Sequence, residues 1–170
     1  MKKDDILLLQ TAGFVSNKFG GILLSGDAKL LYDAILKLIK AKFRNFYRQS
    51  IYAPNLINNE ILKKAKYDVH FPHNMLNVFS HKKSSVELSI PPAACFHIFG
   101  ELENKKITKE NSGYLVLSSC GRFENNNIVY PFRLVCFSML EIVLFRQSNK
   151  MDKLYKEILD HAVNFLDELE

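Results

Sequence analysis

The sequence has no tryptophan, 7 glycines, 5 prolines and 3 cysteines among 170 residues. So little Gly and Pro, without a period, excludes a collagen-like or low-complexity chain. Cys95, Cys120 and Cys136 form an odd set with no CxxC spacing, which excludes a disulfide framework and a zinc ribbon. A reducing, cytoplasmic setting is expected from that usage. Long apolar runs are missing too. Ile6–Leu9 is too short, and Asp4-Asp5 before it too acidic, for a signal peptide. The greasiest stretch, Ile128 to Phe145, is broken by Arg133 and Glu141 and falls short of a membrane span. Blocks of one charge are likewise absent. With 23 Lys+Arg against 18 Asp+Glu the chain carries +5, in short clusters such as Lys63-Lys64, Lys82-Lys83 and Lys105-Lys106. Such pairs read as solvated surface, a weak argument for an anionic ligand. What is present is 48% hydrophobic and 24% charged residues, enough for one core and one domain spanning 1–170.

The opening with Gly13, Gly20 and Gly21 reads as loop. Ser25-Gly26-Asp27 then offers helix caps, and Leu31, Ala34, Ile35, Leu38 and Ile39 repeat at the helical period to about Lys42. Phe43 to Ala53 reads as a strand stopped by Pro54. Asn58 to Tyr67 is expected to be a short helix, Val86 to Ile90 a strand, and Ala93 to Glu103 a helix begun by Pro92. Tyr114–Cys120 and Ile128–Phe145 are rich in β-formers, and Glu124 to Asn127 between them supplies turn chemistry. They predict a long antiparallel hairpin. Leu154, Tyr155, Ile158, Ala162, Phe165 and Leu169 mark one face of a closing helix. The fold class is α+β, an antiparallel sheet flanked by helices.

The hairpin carries the chemistry. Arg122 and Glu124 end its first strand, and Arg133, Phe137 and Glu141 recur at four-residue steps on the second. Such steps keep one face of a strand, so a cation, an aromatic plate and a carboxylate line a wall about 26 Å long at ~3.3 Å per residue. An ordinary half-buried sheet would keep that face apolar, which invites a functional reading. A charged edge strand or structural salt bridges would account for the same charges. Cys120 and Cys136 read as core thiols, and His73 and His97 as loop or helix-terminal histidines.

Arg122-Phe-Glu124, a loop, then Arg133-xxx-Phe137-xxx-Glu141 resembles motif 2 of the class II aminoacyl-tRNA synthetases. The helix and strand ending at Pro54 resemble their motif 1. More narrowly, Ile51-Tyr-Ala-Pro-Asn-Leu-Ile57, Phe71-Pro-His73, Pro91-Pro-Ala-Ala-Cys-Phe-His97 and Phe137-Ser-Met-Leu-Glu-Ile-Val143 are similar to the amino acid–carrier protein ligases, relatives of the methanogen-type seryl-tRNA synthetases. The similar segments run in order over about residues 25 to 169.

The resemblance implies ATP-dependent activation of a small amino acid to an aminoacyl adenylate, then transfer to an acyl carrier protein. Arg122 would bridge the α-phosphate and the amino-acid carboxylate, a planar fork suited to two oxyanions. Glu124 would accept from the adenine amine, Arg133 would reach the terminal phosphates, and Phe137 would stack on the adenine. Mg²⁺ would offset the triphosphate charge, and Cys95 and Glu141 match two of three ligands of a catalytic Zn²⁺. The resemblance stops before motif 3, which supplies the other half of the ATP clamp and the third zinc ligand. It therefore describes the N-terminal part of a class II synthetase-like catalytic domain, with activity expected to be impaired or to need a complementary motif 3 chain. The alternative is a catalytically silent paralogue that binds nucleotide or a partner. A homodimer through the motif 1 element is expected; tRNA and membranes are not expected partners.

Overall fold

The computed structural model describes residues 3–16, 20–81, 86–110, 112–124, 130 and 132–169. The elements run α1 (Lys3–Thr11), β1 (Phe14–Ser16), β2 (Ile22–Leu24), α2 (Gly26–Lys42), β3 (Gln49–Tyr52), β4 (Ile57–Asn58), α3 (Asn59–Lys64), α4 (Tyr67–His70) and a 3-10 turn (Pro72–Asn74). Then come β5 (Leu76–Val78), β6 (Leu88–Ile90), α5 (Cys95–Glu101), β7 (Gly113–Gly121), β8 (Cys136–Leu144) and α6 (Ser148–Asp167). Among the described residues these strands form three sheets: the β1–β2 hairpin, a β3–β7–β8 sheet, and a small β4–β6–β5 sheet. The class is α+β as the sequence suggests, with one parallel pairing, β3 against β7, in register Gln49↔Tyr114 to Tyr52↔Leu117. A parallel neighbour requires a long crossover, and the chain from β4 to α5, with the small sheet inside it, provides one.

The β7–β8 ladder is the spine. It pairs antiparallel without a break from Gly113↔Leu144 to Gly121↔Cys136. As the middle strand, β7 is covered on both faces: Leu115 is 1% exposed and Val116 0%. Its even face (Tyr114, Val116, Cys120), with Val143 opposite, packs on Ala94 and Ile98 beneath α5 to form the core. Each such buried aliphatic side chain contributes roughly 1.5–3 kcal/mol.

Several expectations need correction. The glycine-rich opening holds α1 and the β1–β2 hairpin, elements of nine and three residues with weak periodicity. The strand expected over 43–53 shrinks to Gln49–Tyr52 because the aromatics before it serve another surface. Phe43 packs edge-on against His161 and Phe165 of α6, with centroids 5.0 and 6.0 Å apart, and the Lys42 carbonyl lies 2.8 Å from the His161 ring nitrogen. On α6 the inner face is Leu154, Ile158, Ala162 and Phe165, as expected, while Tyr155 and Leu169 are exposed. β8 begins at Cys136 rather than Ile128; 128, 129, 131 and the turn at 125–127 lie outside the described residues. The Val135 and Cys136 amides donate to the Gly20 carbonyl at 2.8 and 3.2 Å, so the N-terminal segment occupies the place a longer strand would need. Cys136 is exposed, not a core thiol, whereas Cys120 is buried.

Candidate functional site

Where the β7–β8 ladder ends, three backbone bonds position the next residues. The Gly121 amide donates to the Pro91 carbonyl at 3.0 Å, Arg122 to Val135 at 2.9 Å, and Phe123 to Asn74 at 3.0 Å. Arg122 therefore sits where the start of α5, the 3-10 turn and the base of β8 meet. A cavity of about 420 Å³ opens there, lined by Arg122, Glu124, Phe132, Arg133, Leu134 and Phe137. Four of the residues picked out from the sequence are thus brought together. Arg133 reaches the cavity from the segment before β8, not from the strand face that alternation predicts.

The Arg122 guanidinium carbon lies 5.0 Å over the Phe137 ring, a cation–π contact. Its Nε is buried and has no hydrogen-bond partner among the described residues. A buried donor without a partner costs about 1–3 kcal/mol, so the protein holds this cation at the expense of its own stability. Glu124 is engaged. Its Oε2 accepts from Arg133 Nε at 2.7 Å and from a terminal guanidinium nitrogen at 2.5 Å, and its side chain is only 10% exposed. Two guanidiniums against one carboxylate leave the cavity lining with excess positive charge, suited to an anion.

Tyr67 and Asn74 border this constellation and carry no signal in the sequence. The Tyr67 hydroxyl hydrogen-bonds the Asn74 side chain and feels both Arg122 and Glu124; burial raises its pKa above the usual range. Phe132, 77% exposed, forms the outer rim and was equally illegible.

Cys95 and Glu141 meet beside the same sheet face, away from the residues lining that cavity. Glu141 Oε2 accepts from the Cys95 backbone amide at 2.5 Å. Burial and the Glu141 carboxylate push the Cys95 thiol up to about 12. Both thiol and amide thus direct protons at one carboxylate. Among the described residues no group of three His, Cys, Asp or Glu side chains could hold a metal ion. These two donors do not make up the three-ligand zinc site that the resemblance implies. His97 is half-buried on α5; its ring bonds the Pro54 carbonyl, its Nε2 has no partner among the described residues, and burial holds its pKa below the ordinary value. His73 is exposed in the 3-10 turn.

No protein-family model matches the chain, and no curated protein matches it in sequence. In fold it is similar to solved aminoacyl-tRNA synthetase structures. One is described as the RNA binding domain of threonyl-tRNA synthetase from Cryptosporidium parvum Iowa II (TM-score 0.82, 15% identity, 99% of this chain and 43% of that one). Another is Giardia lamblia prolyl-tRNA synthetase in complex with prolyl-adenylate (0.77, 13%, 92% and 33%). A third is cytoplasmic serine-tRNA ligase of Naegleria fowleri in complex with AMP (0.76, 18%, 95% and 40%). The chain has a synthetase-like fold and spans less than half the length of each of these proteins. No helix among the described residues is long and apolar enough to cross a membrane.

Proposed function

We propose that the Arg122 cavity binds ATP and that the chain serves amino acid activation. The carboxylate of an amino acid attacks the α-phosphorus, the bond to the bridging oxygen of pyrophosphate breaks, and an aminoacyl adenylate forms. Transfer of the aminoacyl group to a carrier-protein thiol then releases AMP. The observation that carries this reading is the buried Arg122 Nε without a partner on the wall of an electropositive cavity. Two of the structural neighbours hold prolyl-adenylate and AMP, ligands of the class proposed here.

Arg122 leaves the Phe137 ring and turns its fork to the α-phosphate and the incoming carboxylate, holding the two anions together as charge develops. The bared ring then accepts the adenine by stacking. Arg133 releases Glu124 and moves to the terminal phosphates, and Glu124 accepts a hydrogen bond from the adenine amine. Glu124 is the one carboxylate among the described cavity residues. Mg²⁺ therefore enters only as the counter-ion a triphosphate brings, and no step runs through zinc.

ATP–pyrophosphate exchange with a panel of amino acids tests this. Exchange that depends on one amino acid and disappears in Arg122→Gln supports activation, whether the chain acts alone or needs an added motif 3 polypeptide. No exchange in any combination overturns it. A second reading, a nucleotide-binding module without turnover, is favoured by the Arg133–Glu124 pair, which already engages the two groups assigned to the nucleotide. Tight ATP binding by calorimetry without exchange would select it. Self-association is proposed through Leu23, Leu30 and Leu31, which are 60%, 69% and 53% exposed on β2 and α2. A homodimer in light scattering is the expected result.

A further inference from the structure

A second, larger cavity of about 970 Å³ lies at the opposite end of the β7–β8 ladder, where Gly113 faces Leu144. The eight steps of β7 separate it from the Arg122 cavity by about 26 Å. Arg48 before β3, Lys109 before β7, Arg146 after β8 and Lys150 at the start of α6 line it, and no carboxylate does among the described residues. Three separate stretches of chain, around 48, 107–112 and 144–151, thus deliver four cations to one concavity.

Elsewhere on the surface some lysines are paired and others, such as Lys37, Lys40, Lys66, Lys153 and Lys156, are in no ion pair among the described residues. What sets this cavity apart is the gathering of four cations in one place. Lys29 pairs with Asp33, Lys42 with Glu168, Lys63 with Glu60 and Glu87, Lys64 with Glu103, and Lys105 with Glu101. None of the four cavity cations is in an ion pair among the described residues. The nearest carboxylate in sequence, Glu110, hydrogen-bonds the Thr108 side chain and feels the Lys109 charge, but does not line the cavity. The first turn of α6 brings no acidic residue to offset them. Arg146 is also held in place: one terminal nitrogen donates to the Ser112 and Phe145 carbonyls at 2.7 and 2.8 Å. Its other guanidinium donors remain for a ligand. Like charges gathered in this way repel one another, a cost that a bound polyanion removes.

We propose that this cavity is a second binding site, distinct from the Arg122 cavity, for a ligand carrying linked phosphates. Two sources share that chemistry, the backbone of single-stranded RNA and a compact polyphosphate. Titrations on the full chain carrying Arg122→Met, which removes the phosphate-binding guanidinium of the first cavity, separate them. The probes are a fluorescent oligouridylate and inorganic triphosphate, with and without Lys109→Gln/Lys150→Gln, a change confined to exposed side chains. At low salt at least one probe should bind, and the double variant should weaken it by about tenfold or more. If RNA is the ligand, log affinity should fall against log salt with a slope of about 3 for four phosphate contacts, and about half that in the double variant. Triphosphate binding without RNA binding assigns the compact ligand. Failure of both probes to bind, or equal affinity in the double variant, overturns the proposal. Neither result bears on amino acid activation, which rests on the other cavity.

Discussion

Replacing Arg122 by methionine should stabilise the free protein and weaken its grip on ATP. Methionine keeps an apolar stem against Phe137 and removes the buried Nε that lacks a partner. Relief of that donor contributes about 1–3 kcal/mol. Loss of the cation–π contact costs roughly 0.5–2 kcal/mol. The balance is a gain of about 1 kcal/mol, or 2–4 °C in Tm for a chain of this size. Nucleotide binding moves the other way. Two charge-assisted hydrogen bonds at roughly 1.5 kcal/mol each, the low end of their range, amount to about a hundredfold in Kd. Thermal denaturation with and without Mg·ATP reads both effects. At ATP about 100 times the Kd, the wild-type protein gains about 2.7 kcal/mol from the ligand, a shift of roughly 5–10 °C. The variant at the same ATP should shift by about 1 °C from a higher starting Tm. A free variant that melts several degrees below wild type, with its ATP shift intact, would show Arg122 to be a structural residue and refute the reasoning.

The Arg133–Glu124 pair should give a coupling of about 1 kcal/mol in a double-mutant cycle with Arg133→Ala and Glu124→Gln, because Arg133 is half exposed and screened. Zero coupling in urea unfolding would show that the pair contributes nothing to stability. Gly13 has φ +100°, and a Cβ there would lie 2.1 Å from the Ser25 carbonyl oxygen. Gly13→Ala should therefore cost about 2–4 kcal/mol locally and abolish exchange protection of the Ser25 and Ala28 amides, which bond Gly13 and Ala12; retained protection would contradict it. Burial lowers the folded-state pKa of His97 below its unfolded value. The unfolded chain then binds the proton more readily, so the stability tied to neutral His97 is complete above the unfolded pKa, about 6.5, and is lost as pH falls through the folded pKa. Between pH 7.5 and 5.5 the wild-type Tm should fall more than that of His97→Gln, and parallel curves would rule the linkage out.

Local pattern made the long elements legible. The helical period of Leu31–Ile39 places α2, and the β-formers on either side of the Glu124–Asn127 turn chemistry in the sequence place β7 and β8 as an antiparallel pair. Proline chemistry at Pro54 and Pro91-Pro92 marks the end of β3 and the approach to α5. Pairing between distant segments was not legible. Nothing in Gln49–Tyr52 announces a parallel neighbour, and strands of two or three residues such as β4 and β5 are too short for a period. The start of β8 departs from the local pattern for a tertiary reason: the Gly20 carbonyl takes the Val135 and Cys136 amides. Within the site, Arg122, Glu124, Arg133 and Phe137 were recognisable as chemistry-bearing residues on one hairpin. Tyr67 and Asn74 were not, because α4 and the 3-10 turn bring them in from a segment without periodic signal.

The central claim is that the Arg122 cavity takes the nucleotide. Titration of the isotopically labelled protein with Mg·ATP, followed by amide and arginine side-chain resonances, tests it most directly. The account predicts saturable shifts at Arg122, Glu124 and Phe137, with a change in the Arg122 Nε–H signal as its unpartnered donor gains an acceptor. Saturable shifts confined to residues far from this cavity, or no shifts at millimolar ATP, would contradict it.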